Sequence, residues 1–196
     1  MAIRADGNQL WEENQLTDGV AEEANQFGAA VAISDLNSDG FADLAIGVPG
    51  DNAGPLVAAG AVRVLYGTPT GLSAIGDQFW NQNRLTGGSE AGDRFGSALA
   101  AGDFDSDGFN DLAVGVPNED IRGISNAGAV NVIYGTATGL TATASQLWHR
   151  NTNGIKGFAT DHRETTHQDI DGQRSVMGKE KHVLAGKKAG ALELAR

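Results

Sequence analysis

Residues 35–43, DLNSDGFAD, set oxygen-bearing side chains at alternate positions: Asp35, Asn37 and Asp39, then Asp43 four residues further on. Residues 103–111, DFDSDGFND, repeat the pattern with Asp103, Asp105, Asp107 and Asp111. Carboxylates this close repel one another unless a counter-charge sits among them. Counting the first aspartate as position 1, side-chain oxygens fall at 1, 3, 5 and 9 and glycine (Gly40, Gly108) at 6. Position 7 (Phe41, Phe109) can offer a backbone carbonyl. A short loop wraps a hard cation in this way, and calcium accepts such irregular oxygen cages more readily than magnesium does. An EF-hand would carry a bidentate glutamate at position 12, but Ile46 and Val114 stand there. Dockerin loops share the early spacing and continue into a helix, whereas an apolar strand-like run follows here. The competing reading is an Asx-rich turn, since Asp, Asn and Gly populate turns for local reasons. Two copies that keep every ligand position favour the cation.

The elements that must hold these loops also repeat. Phe27-Gly28 returns as Phe95-Gly96, Gly47-Val48-Pro49 as Gly115-Val116-Pro117, and Trp80 as Trp148, always 68 residues on. Between 27–80 and 95–148, 29 of 54 positions are identical, which excludes chance. A partial third copy lies upstream, where Gln9-Leu10-Trp11 matches Gln78-Phe79-Trp80. Periods of this size mark stacked supersecondary units. Each unit reads as four strands. FGAAVAISDL (27–36) is small enough for crowded backbones, and FADLAIGVP (41–49) is apolar on both faces. GAVRVLYG (60–67) alternates, and QFWNQNRLTG (78–87) is a more polar outer strand. No helical period survives within the repeat, so the fold class is all-β, with four-stranded antiparallel blades of the β-propeller type. A β-solenoid is the alternative, but its turns repeat at shorter intervals.

The organisation that follows is an N-terminal extension at 1–8, an outer strand and connector at 9–26, one blade at 27–94 and a second at 95–154. The remainder, 155–196, matches no blade and reads as disordered or weakly helical. Charge divides the chain at the same place. The first 154 residues carry six arginines, no lysine and 19 acidic residues, whereas the last 42 hold every lysine. The acidic body disfavours nucleic acid, whose phosphates call for a basic surface. Cysteine is absent, which excludes disulfides and thiolate metal sites. No apolar run is long enough for membrane insertion, and a leader, if the protein is exported, is not in this chain.

The Phe-Gly start, the D-x-[DN]-x-D-G-x-x-D loop, Gly-Val-Pro and Gly-Ala-Val together resemble FG-GAP repeats, the blades of the integrin alpha-chain propeller. That resemblance covers about residues 9–154. It implies calcium in the strand 1–2 hairpin of each blade, two sites in all. Asp35, Asn37, Asp39, Asp43 and the Phe41 carbonyl would form the first, and Asp103, Asp105, Asp107, Asp111 and the Phe109 carbonyl the second. It also implies an extracellular or cell-surface setting and a closed ring of about seven blades. Two blades cannot close a ring, so the chain is expected to be a homo-oligomer or a fragment of a larger propeller.

Three functions are weighed. The first is a calcium-dependent module that binds a protein or glycan, with calcium structural. In its favour, residues 50–58 (GDNAGPLVA) and 118–126 (NEDIRGISN) share no identity between nearly identical flanks, as a recognition surface would; an unconstrained solvent loop fits equally. The second is the non-catalytic propeller part of a secreted hydrolase. The residues give no nucleophilic triad, His149 beside Trp148 reads as a packing residue, and the carboxylates serve better as ligands than as a glycosidase pair, so no enzyme is expected. His162 and His167 could bind a transition metal by composition, but a solvated tail is the favoured reading. The third is a structural repeat that assembles into a ring by oligomerisation.

Overall fold

A computed structural model of the chain describes residues 8–152. The expected tail at 155–196, with His162 and His167, lies outside the described residues, as do residues 1–7 of the N-terminal extension. Eight strands form two antiparallel sheets, each in chain order. The first holds β1 (Ala30–Ser34), β2 (Asp43–Val48), β3 (Ala61–Thr68) and β4 (Gly71–Trp80). The second holds β5 (Ala98–Gly102), β6 (Asp111–Val116), β7 (Ala129–Tyr134) and β8 (Thr141–Trp148). The expected all-β blades are therefore present, and the 68-residue repeat extends to the register. Ser34 faces Asp43 across the first hairpin and Gly102 faces Asp111 across its copy. A register shift falls at Val64/Tyr66 in β3 and at Val132/Tyr134 in β7.

Burial explains the strand composition. β2 has every residue buried except Leu44, which is partly buried, as its two-sided apolar pattern requires. Val62, Val64 and Tyr66 of β3 face the second sheet. Leu65, one residue out of phase, packs instead with Leu16 and Ile46 on the opposite face. The main core lies between the sheets, where Leu36, Ala45, Val62, Val64 and Trp80 meet Phe95, Leu112, Val114, Val116 and Ile133. Phe95, with no exposed surface, is its largest fully buried side chain, and burial of that size contributes about 2–3 kcal/mol. The sheets approach backbone to backbone beside it. A Cβ on Gly47 would lie 2.0 Å from the Gly96 carbonyl oxygen, so only glycine fits.

Two expected strands are corrected. The outer strand begins at Gly71, not 78, and stops at Trp80; Gln82–Arg84 forms a 3-10 turn. A tight hairpin sets this start. Thr68 pairs with Gly71, the Thr68 hydroxyl donates to the Gly71 carbonyl, and Gly71 adopts φ +118°, so β4 leaves the turn immediately. The segment 9–18 holds a 3-10 turn at Glu13–Gln15 and no strand. Its nearest copy explains why. Only Gln78–Trp80 of the corresponding stretch is strand, and among the described residues Gln9–Trp11 has no third strand beside it. Gln9 nevertheless acts as Gln78 does. Its side chain donates to Leu72 O and accepts from Leu72 N, as that of Gln78 does with Leu140 of the next sheet.

Candidate metal centres

Each acidic loop is an Asx-built hairpin between the first two strands of its sheet. In the second loop, Asp103 accepts from Ser106 N, Asp107 N and Gly108 N at 2.7–3.2 Å. Asp105 accepts from Asp107 N, and Asp107 from Phe109 N. Asp111 is fully buried and bridges two segments. One of its oxygens takes Phe104 N and the other Gly135 N, each at 2.8 Å. The first loop repeats these bonds apart from that of Ser106 N. Asp35 takes Asp39 N and Gly40 N, Asn37 takes Asp39 N, Asp39 takes Phe41 N, and Asp43 takes Leu36 N and Gly67 N. The turn forces positive φ at Gly40 (+88°) and Gly108 (+93°), and also at Ser38 and Ser106.

These bonds gather carboxylates. Oxygens of Asp103, Asp105 and Asp111 lie within 4.8 Å of one another. Asp107 stands outside that group. In the first loop Asn37 replaces one carboxylate, and its amide nitrogen donates to Asp39 at 3.0 Å. Phe41 and Phe109 are tied by their N–H groups to the fifth-position aspartates. Among the described residues the ion pair is Arg63 with Glu13, remote from both loops.

The field in the loops is negative. Asp43 has its pKa raised, first by burial, against the bonds from Gly67 and Leu36, with Asp39 and Asp35 adding to the rise. Asp105 is raised by desolvation and then by Asp107, Asp111 and Asp103, opposed by the Asp107 N–H. Burial and Asp43 push the Tyr66 hydroxyl up to about 12; burial, Asp105 and Asp111 raise Tyr134. Oxygens alone, several of them anionic and without a basic partner, make a donor set that suits a hard divalent cation.

Three features escaped the sequence reading. Asp43 and Asp111 are structural anchors as well as candidate ligands, because each closes its loop onto the end of the third strand. Asn110 joins the hairpins, its amide donating to the Asp35 carbonyl at 2.9 Å. The variable loops 50–58 and 118–126 share one backbone despite sharing no residue. Asn52 caps Ala58 N as Asp120 caps Asn126 N, and the bridges Ala53–Leu56 and Ile121–Ile124 coincide. Antiparallel pairing puts these loops at the sheet end opposite the acidic hairpins.

Two four-stranded antiparallel sheets sharing one core, each with an acidic hairpin at the same end, define a pair of β-propeller-type blades. The chain carries FG-GAP repeats at two positions, residues 27–65 and 95–133, where the model of that family matches. It is similar to phosphatidylinositol-glycan-specific phospholipase D of Mus musculus, 39% identical over 122 residues, which is 62% of this chain and 14% of that protein. It is also similar to integrin alpha-V of Gallus gallus, 40% identical over 131 residues, or 63% of this chain and 11% of that one. Integrin alpha-3 of Mus musculus is 33% identical over 135 residues, covering 68% and 12%. The chain thus spans well under a fifth of the length of these relatives.

Proposed function

We propose that this chain is a calcium-stiffened propeller module that works by binding a protein or glycan and carries out no chemistry of its own. The observation that carries the reading is the gathering of Asp103, Asp105 and Asp111 oxygens at a hairpin whose hydrogen bonds recur 68 residues upstream. Calcium would sit in each hairpin, held by Asp35, Asn37, Asp39, Asp43 and the Phe41 carbonyl in one, and by Asp103, Asp105, Asp107, Asp111 and the Phe109 carbonyl in the other. Bound there, it neutralises the carboxylates and fixes the first strand against the second. Ligands would meet the opposite end, where loops of one shape and different chemistry stand side by side. Exposed loop sites of this kind suit the millimolar calcium of an extracellular or cell-surface setting. Among the described residues no helix is long and apolar enough to cross a membrane, and the acidic body gives nucleic acid no counterpart.

Calorimetric titration tests the metal. Asp35→Ala and Asp103→Ala should each remove one calcium equivalent, and the second loop, with one more carboxylate, should bind more tightly. Titration heats unaltered by both changes would sink the reading.

A second reading, self-association, is favoured by the exposed outer face of the second blade. Val62 and Trp80 of the first blade are 0% and 7% exposed, whereas their copies Val130 and Trp148 are 39% and 38% exposed. These and Gly115, Val116 and Gly128 line an open groove of about 410 Å³. Its occupant would be the first blade of a second copy, which has Val31 and Ile33 exposed where Leu99 and Ala101 pack against the core.

A further inference from the structure

Beneath the variable loops each blade gathers a layer of four polar side chains, all buried except the partly buried Asp51 of the first blade. In the first blade these are Glu13, Asn25, Asp51 and Arg63. The Asn25 amide donates to Glu13 at 2.9 Å and to Asp51 at 3.4 Å, and the Arg63 guanidinium stands 3.8 Å from Glu13. Arg63 also donates to the Thr17 and Asp18 carbonyls. Glu13 Oε1 and Asn25 Oδ1, which accept no hydrogen bond, thus share their layer with a cation whose Nε also makes none.

The second blade places Gln82, Asp93, Glu119 and Asn131 at the corresponding positions, with exposures of 0%, 2%, 5% and 0%. Gln82 donates to Glu119 at 2.6 Å, and Asn131 donates to the Thr86 carbonyl, taking over the bond Arg63 makes to Thr17. The positive charge is not taken over. The charges acting on Glu119 are Asp93, Glu90 and Asp120, all negative, and both buried acids have their pKa raised, first by burial. Gln82 Oε1 and Asn131 Oδ1 are buried and have no hydrogen-bond partner. Rotating either amide gives no relief, since an oxygen would then face the Glu119 carboxylate or the Thr86 carbonyl. The layer therefore presents two buried carboxylates and two unpartnered amide oxygens where the first blade holds a guanidinium. Ionised carboxylates are not left buried without a counter-charge.

We propose that a calcium ion occupies this layer in the second blade, held by Asp93, Glu119, Gln82 Oε1 and Asn131 Oδ1, at the sheet end opposite the acidic hairpins. Four hard oxygens with two negative charges match a divalent, oxygen-seeking cation, and calcium tolerates the irregular geometry. The site ties the connector at Gln82 to the base of loop 118–126, so calcium would set the shape of the second variable loop but not the first.

The test is flow dialysis of the full chain against calcium alone, in the double variant Asp35→Ala/Asp103→Ala that disables both hairpins. One equivalent should remain bound, and adding Glu119→Gln should abolish it. Asn131→Arg, which restores the counter-charge of the first blade, should also abolish it and should raise the melting temperature of the metal-free protein. Loss of all calcium with the hairpins alone overturns the proposal, as does an equivalent that survives both Glu119→Gln and Asn131→Arg. If the hairpins prove inert instead, the wild type binds a single equivalent that Glu119→Gln removes. Should one variant fail to fold, by its circular dichroism in chelator, the other decides.

Discussion

Asp43 shows how one side chain can serve packing and charge in opposite directions. Fully buried, it satisfies the N–H groups of Leu36 and Gly67, which holds the hairpin against β3. Removing it strands two buried donors at about 1–3 kcal/mol each, so Asp43→Ala should cost about 3 kcal/mol in excess chelator, measured by urea unfolding. Its charge works the other way. The folded-state pKa lies above the ordinary 3.8, raised by burial and by Asp39 and Asp35. The folded protein then holds its proton at pH values where the unfolded chain has released it. Stability contributed by this group is complete below about pH 4 and declines as pH rises through the folded-state value. Calcium in the proposed hairpin site would need the ionised form and would reverse the penalty. The melting-temperature gap between calcium-loaded and chelated protein should widen from about pH 5 to about pH 7.5. A constant gap would mean that the ion does not see this carboxylate.

At the scale of elements, the deciding contact is backbone against backbone between blades. Gly47 and Gly115 are copies, and within its own blade each meets an alanine Cβ at similar range, Ala30 at 3.3 Å and Ala98 at 3.2 Å. Only Gly47 also faces the Gly96 carbonyl, at 2.0 Å from where a Cβ would sit. Gly47→Ala should therefore part the sheets and cost about 3 kcal/mol or more by overpacking, while Gly115→Ala should cost less than about 1 kcal/mol. Equal losses in chemical denaturation would refute this account of the interface. The glycine was legible in the repeat, as were the phase of β3, the two-sided burial of β2 and the spacing of Asp35, Asn37, Asp39 and Asp43. The start of β4 was not. Gly71–Asp77 breaks the alternation, with Ile75 89% exposed, and the strand is fixed by the Thr68–Gly71 turn and its pairing with β3. Nor was the layer of Gln82, Asp93, Glu119 and Asn131, whose members lie 11 to 49 residues apart and share no local pattern.

At the scale of the whole molecule, the two faces left open are the two halves of the interface already made inside it. Phe95 is tied to the first blade by its N–H to Ala59 O, and Gly96 lies against Ala61 and Val62. Phe27-Gly28 is more exposed than this copy, and Ala127, the copy of Ala59, is only partly buried. Docking Phe27-Gly28 of one chain on Ala127, Gly115 and Val130 of another would repeat the internal contact between chains. The contact is head-to-tail, so it propagates until it closes. A net charge of −11 opposes it, and calcium bound at the proposed sites would relieve that charge, so association should strengthen with calcium and with salt. Gly115→Val gives the sharpest check. Within a single chain its Cβ meets only Ala98, at 3.2 Å from the Ala98 Cβ, but it would strike the backbone of a docked second copy. Sedimentation equilibrium should show the wild type gaining mass with concentration in millimolar calcium. Gly115→Val should remain at 20.3 kDa with its melting temperature little changed. A wild type that stays at the single-chain mass at every concentration and calcium level would rule the second copy out as the occupant of that face.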